Sequence, residues 1–421
     1  MATKWSSWYW QLGLANLLVI GGAIASGDCS LAQIVPDGTL GAESSVITPS
    51  GFVDLLAGGA TRGANLFQSF EQFSVPTGDA VYFNNASDIQ NIISRVTGAS
   101  VTYIDGLIRA NANANLFLIN PNGFIFGPNA ALDLGGSFLG TTASSLNFAD
   151  STQFSATAPQ TLPLLSVGVP TGLQFEGTGG SILNQSIAVD SSGIPVGLQV
   201  QPGKTLALVG GDVALAGGNL TAEAGRIELG SVASPSLVSL SPTGQGWVLG
   251  YEGVQNFGDI QLSQGAFVDA SGEGSGDIQV QGGRVTLTDG SQISAVTTGS
   301  GSGGTVTVNA PDSVELIGTS ADGRFPSGLL TQTQNTGNAG NLTIQTGQLI
   351  VVDGAELSVS SQGSGEAGDL QVVASSIRLA TGSVVTASSE KVPEPGTVGA
   401  LLLAGLTALG YGKRQKQAFR D

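Results

Sequence analysis

The sequence predicts an all-β chain: a right-handed parallel β-helix of short strands with Gly, Asn and Asp corners. Three observations predict it. Gly makes up 64 of 421 residues while charged residues make up only 11 %, a composition that favours turns and strands over solvated helical faces. Short strand-like segments alternate with Gly, Asn, Asp and Ser, and the nearest approach to a helical period, Ile89 to Val96, is too short and too polar to be a helix. From about residue 205 two kinds of unit interleave. The first runs Gly, polar, apolar-x-apolar, as in Gly225 to Leu229, Gly258 to Leu262, Gly276 to Val280, Gly304 to Val308, Gly340 to Ile344 and Gly368 to Val372. The second is Gly265 to Val268, Gly290 to Ile293, Gly354 to Leu357 and Gly382 to Val385.

Such units cannot bury their inward side chains alone, so they must stack. Successive first units from Gly258 onward lie 18, 28, 36 and 28 residues apart, a loose period with insertions at corners such as Ala321 to Pro326. A sandwich would carry turn signals at a steady 8 to 12-residue spacing. A propeller would repeat at roughly 40 residues with aromatic signatures absent here. A calcium-binding nonapeptide roll would reiterate Gly274-Ser-Gly276-Asp277-Ile278 in tandem, and this chain does not.

In chain order, residues 1–32 predict a secretory signal. Lys4 is its positive end, Leu12 to Ala25 its apolar segment, and Ser30-Leu31-Ala32 followed by Gln33 the site for signal peptidase, with cleavage between Ala32 and Gln33. The only cysteine, Cys29, is then removed, so the mature chain forms no disulfide.

Next comes the densest apolar run of the body, Asn115 to Gly140, built around Asn120-Pro121-Asn122-Gly123. Pro fixes φ at the second position of a tight turn, Asn tolerates the third and Gly suits the fourth. Leu116 to Ile119 and Phe124 to Phe126 are then strands on successive sides of a coil, with the corner between them exposed. Their apolar residues point both ways, so something must cover the outer face: a hairpin, a cap or another protein. Phe67, Phe70, Phe73, Phe117, Phe124 and Phe126 lie on such segments and predict core packing.

At these residues the sequence resembles the secretion domain of two-partner-secretion exoproteins, the filamentous haemagglutinin family. The resemblance spans roughly residues 35 to 160 and rests on Gly63 to Phe73, Ile92 to Gly98, and Ala114 through Gly127 to Phe138. It implies a β-helix recognised by a dedicated outer-membrane β-barrel transporter, with Asn120, Pro121, Asn122 and Gly123 as the secretion motif. Residues 33–170 are then the secretion domain, and 171–388 a β-helix shaft with degenerate repeats. Adhesion to cells or surface glycans, or a place in an extracellular matrix, is the role the resemblance implies. The wording Phe124-Ile-Phe-Gly-Pro resembles cyanobacterial members.

Residues 389–421 form the last segment. Val398 to Tyr411 is a 14-residue apolar stretch, short of the ~20 residues that span a bilayer as a helix. Lys413, Arg414, Lys416 and Arg420 flank it. Pro393-Glu394-Pro395, the apolar stretch and the basic cluster together resemble the PEP-CTERM sorting signal of Gram-negative bacteria. That resemblance implies processing by an exosortase-type protease. Without processing, the segment is a short tail anchor.

The composition also excludes function classes. A net charge of −17 with 14 basic residues leaves no cationic row to neutralise phosphates, so no nucleic acid is expected. The lack of histidine rules out Ser-His-Asp catalysis and His-ligated zinc, and no motif calls for a cofactor or a metal. Gln201 to Thr205 ends like a phosphate loop, but Leu198 stands where its first Gly belongs. Gly299 to Gly304 spells GxGxxG yet leads into a strand-like segment, without the helix terminus a pyrophosphate needs. Asp269, Asp277, Asp289 and Glu315 are candidate glycan-cleaving carboxylates. They sit beside Gly or at corners, and Arg226, Arg284, Arg324 and Arg378 are scattered in sequence. The expectation is solvated turn residues and no enzyme, with a surface polysaccharide-active enzyme or a tail-anchored envelope protein as the rival readings.

Overall fold

A computed structural model describes residues 34–389, apart from residues 162, 245 and 381. The expected leader with Ala32 and Gln33, and the Pro393-Glu394-Pro395 signal, lie outside these residues.

The described chain is a parallel β-helix with three sides. Each strand pairs in parallel with the strand one coil later, so a given side chain recurs along the axis about every 4.8 Å. On the first side run Asn65–Gln72, Asn91–Val96, Asn115–Ile119, Phe138–Thr141, Thr205–Gly210, Arg226–Ser231 and Asp277–Gln281. The second side carries Thr102–Ile104, Phe124–Phe126, Ile182–Asn184, Val213–Ala216, Ile260–Ser263 and Arg284–Leu287. Three long strands, Thr305–Ile317, Asn341–Val352 and Leu370–Leu379, pass through the corner and join both sides into one 18-stranded sheet. The third side consists of a five-stranded and a seven-stranded sheet. Ile89 to Val96, the nearest approach to a helical pattern, holds the strand Asn91–Val96.

Alternation of two residues along each strand sends one row inward. Ile92, Leu116, Phe138, Leu206, Ile227, Ile278, Val306 and Leu342 are in register from coil to coil and all are at most 1 % exposed. This stacked interior is the core that no single coil could build. The N-terminal end is closed by antiparallel strands. Ser45–Ser50 pairs with Val53–Gly58, and both Val35–Pro36 and Ala60–Arg62 pair with Asn65–Gln72. An open strand edge is thereby removed from that end.

Two excursions leave the coil at the corner between the first and second sides. Residues 142–181 contribute Ser145–Phe148, Gln153–Ser155 and Pro170–Phe175, and residues 232–259 contribute Ser236–Pro242 and Trp247–Gly250. They pair antiparallel into one five-stranded sheet. The boundary read from sequence at 170/171 falls within the strand Pro170–Phe175, which pairs with Ser236–Pro242.

This sheet covers the outer face of the first side, and the sequence follows its outline. One outward row reads Phe67, Ile93, Phe117, Leu139, Ala207, then Glu228, Gln279, Thr307, Thr343, Gln371. The first five lie under the sheet in a second apolar cluster with Phe148, Phe154, Leu173, Val238 and Trp247. Beyond Glu228 the row turns polar, as a face returning to water requires.

Candidate functional site: the Asn120 to Gly123 corner

Asn115–Ile119 and Phe124–Phe126 are strands on successive sides, as the sequence predicts. Leu116, Leu118, Phe124 and Phe126 point into the coil interior, and Phe117 and Ile119 point outward beneath the covering sheet. Phe117 meets Trp247 edge-on at 5.3 Å between ring centroids. The cover is therefore the protein's own, and over Phe117 it comes from Trp247, more than a hundred residues further along the chain. All six phenylalanines expected to pack are buried.

Asn120 to Gly123 turns the chain between the two sides, with Gly123 N–H donating to the Asn120 carbonyl at 3.1 Å. Gly123 has φ +120°, and a Cβ there would lie 2.6 Å from the Ser181 carbonyl oxygen, so only Gly fits. The corner is not exposed as a whole, contrary to the expectation from sequence. Asn120 is 0 % exposed, Gly123 is buried, Pro121 is half-buried, and Asn122 alone faces solvent. The reason is that further coils lie on both sides of it.

Beneath it, the Asn120 amide donates to the Ser100 carbonyl and to Thr102 Oγ1, both at 2.9 Å. Its Oδ1 accepts from the Asn122 backbone N–H at 3.0 Å and from Asn122 Nδ2 at 2.9 Å, and Asn122 Nδ2 also reaches the Gly98 carbonyl at 2.7 Å. Every donor and acceptor of this buried amide is thus used. Above it, the first excursion departs and returns. Asn120 N–H donates to the Thr141 carbonyl, and Gly180 N–H donates to the Pro121 carbonyl. A Cβ on Gly180 would come within 2.3 Å of the Asn122 carbonyl group. The corner is the seat on which the covering sheet's first excursion rests.

The next corner, Gly127-Pro128-Asn129, is fastened to Asp105. Asn129 donates its backbone N–H to Asp105 Oδ1 at 2.8 Å, and Thr77 donates to Oδ2. Burial pushes the Asp105 carboxyl up, but the bonds from Thr77 and Asn129 outweigh it and hold it below the usual carboxylate range.

Two buried ionisable side chains anchor the covering sheet. Arg95, 1 % exposed, donates to Ser69 Oγ (2.8 Å), the Ser155 carbonyl (2.6 Å) and Thr39 Oγ1 (2.8 Å), and its guanidinium lies 4.1 Å from the Phe154 ring centroid. It ties together the N-terminal closure, the first side and the cover. Burial pushes it down to about 10 against the pull of Asp37. Glu228, 0 % exposed, pairs with Arg226 Nε at 2.5 Å and accepts from Leu249 N–H at 3.3 Å. Burial outweighs both and pushes its carboxyl up to about 7.

Arg95 lies within the Ile92 to Gly98 run noted in the sequence, while Gly180, Thr102 and Glu228 carry no local signal that could single them out. The candidate carboxylates also need correcting in part. Asp277 pairs with Arg226 at 3.0 Å and Glu315 with Arg284 at 3.6 Å. Stacking places residues about 30 to 50 positions apart side by side, so scattered arginines become partners. Asp269 accepts from Ser271, and Asp289 sits at a corner with φ +57°.

The family model of the TPS secretion domain matches residues 32–280, more than half of the chain. The PEP-CTERM protein-sorting motif matches residues 391–417, outside the described residues. Among solved structures, the HMW1 secretion domain from Haemophilus influenzae is similar at 16 % identity, covering 82 % of this chain and 96 % of that one, with a TM-score of 0.41. The filamentous hemagglutinin secretion domain is similar at 16 % identity, covering 82 % and 99 %, with a TM-score of 0.34. No curated protein matches. The chain belongs to the TPS secretion domain family, the secreted or cell-surface exoproteins of two-partner secretion, whose partner is an outer-membrane transporter.

Proposed function

We propose that the chain is a non-enzymatic exoprotein that serves in adhesion or in an extracellular matrix, with export directed by the Asn120 to Gly123 corner and surface attachment by the last coils. The observation that carries this reading is the outward row of the first side. It is apolar and covered up to Ala207, Gln279 still donates to the Leu249 carbonyl of the cover at 3.2 Å, and from Thr307 onward it is an open ladder of uncharged polar side chains. The candidate carboxylates Asp277 and Glu315 are engaged in ion pairs with Arg226 and Arg284, which fits a structural use. The export module takes in both excursions, so its boundary lies beyond residue 259 and the adhesive shaft is correspondingly short.

Co-expression with the cognate transporter tests export. Asn120→Ala is expected to accumulate in the periplasm while the native chain reaches the medium or surface; equal export of both would remove the motif from its role. Deletion of the protein is expected to weaken cell attachment, and unchanged attachment and matrix would overturn the adhesive role. N-terminal sequencing of the mature chain is expected to begin at Gln33. The match to a sorting motif favours a second reading for the C-terminus, anchorage or sorting at an envelope membrane. Mass spectrometry separates the two fates: an intact end at Asp421 marks an anchor, and a cut near Pro395 marks sorting by an exosortase-type protease.

A further inference from the structure

The corner that launches both excursions in the earlier coils is bare in the later ones, and there it forms a groove of about 560 Å³ running along the axis. Its wall is a row in register from coil to coil: Gln281, Asn309, Gln345 and then Val373. Pro311 and Ala374 add apolar surface beside the amides.

A second amide ladder in the molecule shows what is unusual here. Asn65, Asn91 and Asn115 also stack in register, but they bond to one another at 2.9 Å, and Asn65 caps the Gly168 carbonyl at 2.7 Å. Those amides are consumed internally. Among the described residues, the side-chain amides of Gln281, Asn309 and Gln345 take part in no protein hydrogen bond. They present donors and acceptors at a repeat of about 4.8 Å to whatever enters the groove.

No charged residue lines the groove, and Asp312 beside Pro311 keeps its rim acidic in a chain of net charge −17. Polyanions are repelled, and a cation finds no carboxylate inside. An uncharged polymer rich in hydroxyl groups fits. Alternating donors and acceptors match its hydroxyls, and the apolar patches match the C–H faces of its rings. The coil repeat is also close to the rise per sugar of an extended β-linked glycan.

We infer that this groove binds a neutral, extended polysaccharide along the shaft, which rests on the adhesive reading above and names its ligand class. The test is affinity electrophoresis of the mature secreted chain through gels holding mixed-linkage β-glucan, dextran or alginate. Retardation by β-glucan but not by alginate is expected. Asn309→Ala/Gln345→Ala should weaken β-glucan binding at least tenfold, while Gln332→Ala, on the third side, should leave it unchanged. Both groove residues point away from the core; an unchanged thermal midpoint checks this, and Gln345→Glu provides a second, charge-based block. No retardation by either neutral glycan, equal retardation by alginate, or equal binding by the groove variants would overturn the inference. Cell attachment by the same variants keeps the two readings apart. Glycan binding lost with attachment intact leaves the groove standing and removes its adhesive role, and attachment without any glycan binding removes the groove alone.

Discussion

Gly180 donates its backbone N–H to the Pro121 carbonyl at 2.8 Å, so the returning end of a 40-residue excursion is pinned to the corner formed by Asn120 to Gly123. This contact links local turn chemistry to the sheet that covers the first side. The corner thereby helps hold the covering sheet in place.

Asn120→Ala should cost about 2–3 kcal/mol, because it leaves the Ser100 carbonyl, Thr102 and the Asn122 amide without their partner in a buried place. Asn122→Ala should cost about 1 kcal/mol, since its side chain faces water. Urea unfolding monitored by tryptophan fluorescence measures both. Equal midpoints for the two variants would contradict the buried role of Asn120.

Gly123→Ala should dislodge the excursion rather than merely strain the turn, because the new methyl meets the Ser181 carbonyl oxygen at 2.6 Å. Limited proteolysis should then cut between residues 142 and 181 at least tenfold faster than in the native chain. An unchanged cleavage rate would show that the excursion is held elsewhere.

Phe117→Ala removes a ring packed under Trp247 and should cost about 3–5 kcal/mol. Arg95→Met should cost about 2–4 kcal/mol, since it keeps some of the packing on Phe154 but strands Ser69, Thr39 and the Ser155 carbonyl. Thermal midpoints with and without each change test these values. A midpoint for Arg95→Met at or above the native one would show that desolvating the guanidinium costs more than its bonds return.

Glu228 gives the stability a pH dependence of definite sign. Its carboxyl rises from an ordinary 4.5 to about 7 in the fold, so between those values the folded state keeps a proton that the unfolded state has lost. Stability from this group is full below about pH 4.5, falls as pH climbs towards about 7, and is level above. Asp37 and Asp105, held below the usual range, act only at lower pH. Denaturant midpoints across pH 5 to 8 should decline in the native chain and flatten in Glu228→Gln. Identical slopes would refute the assignment.

Much of this architecture is legible in the sequence, because strands of alternating polarity and Gly-rich corners are local signals. The strands flanking Asn120 to Gly123, the inward row of one apolar residue per coil and the turn itself all follow from neighbours in sequence. The need for a cover is also legible, since Phe117 and Ile119 point away from the interior that takes Leu116 and Leu118. Which segment supplies the cover is not, because Trp247 and Phe117 are far apart in the chain and only the stacking of coils brings them together. The same holds for Arg226 with Asp277, and for Gln281, Asn309 and Gln345. The sequence by itself determined a β-helix with a tight corner in its densest apolar run. Tertiary structure alone decided that Asn120 and Gly123 of this corner are buried, that the chain covers its own outer face, and that a bare groove remains beyond the cover. The physical reason is that alternation along a strand sets only whether a side chain points in or out, whereas what it meets there is set by coils separated by loops of unequal length.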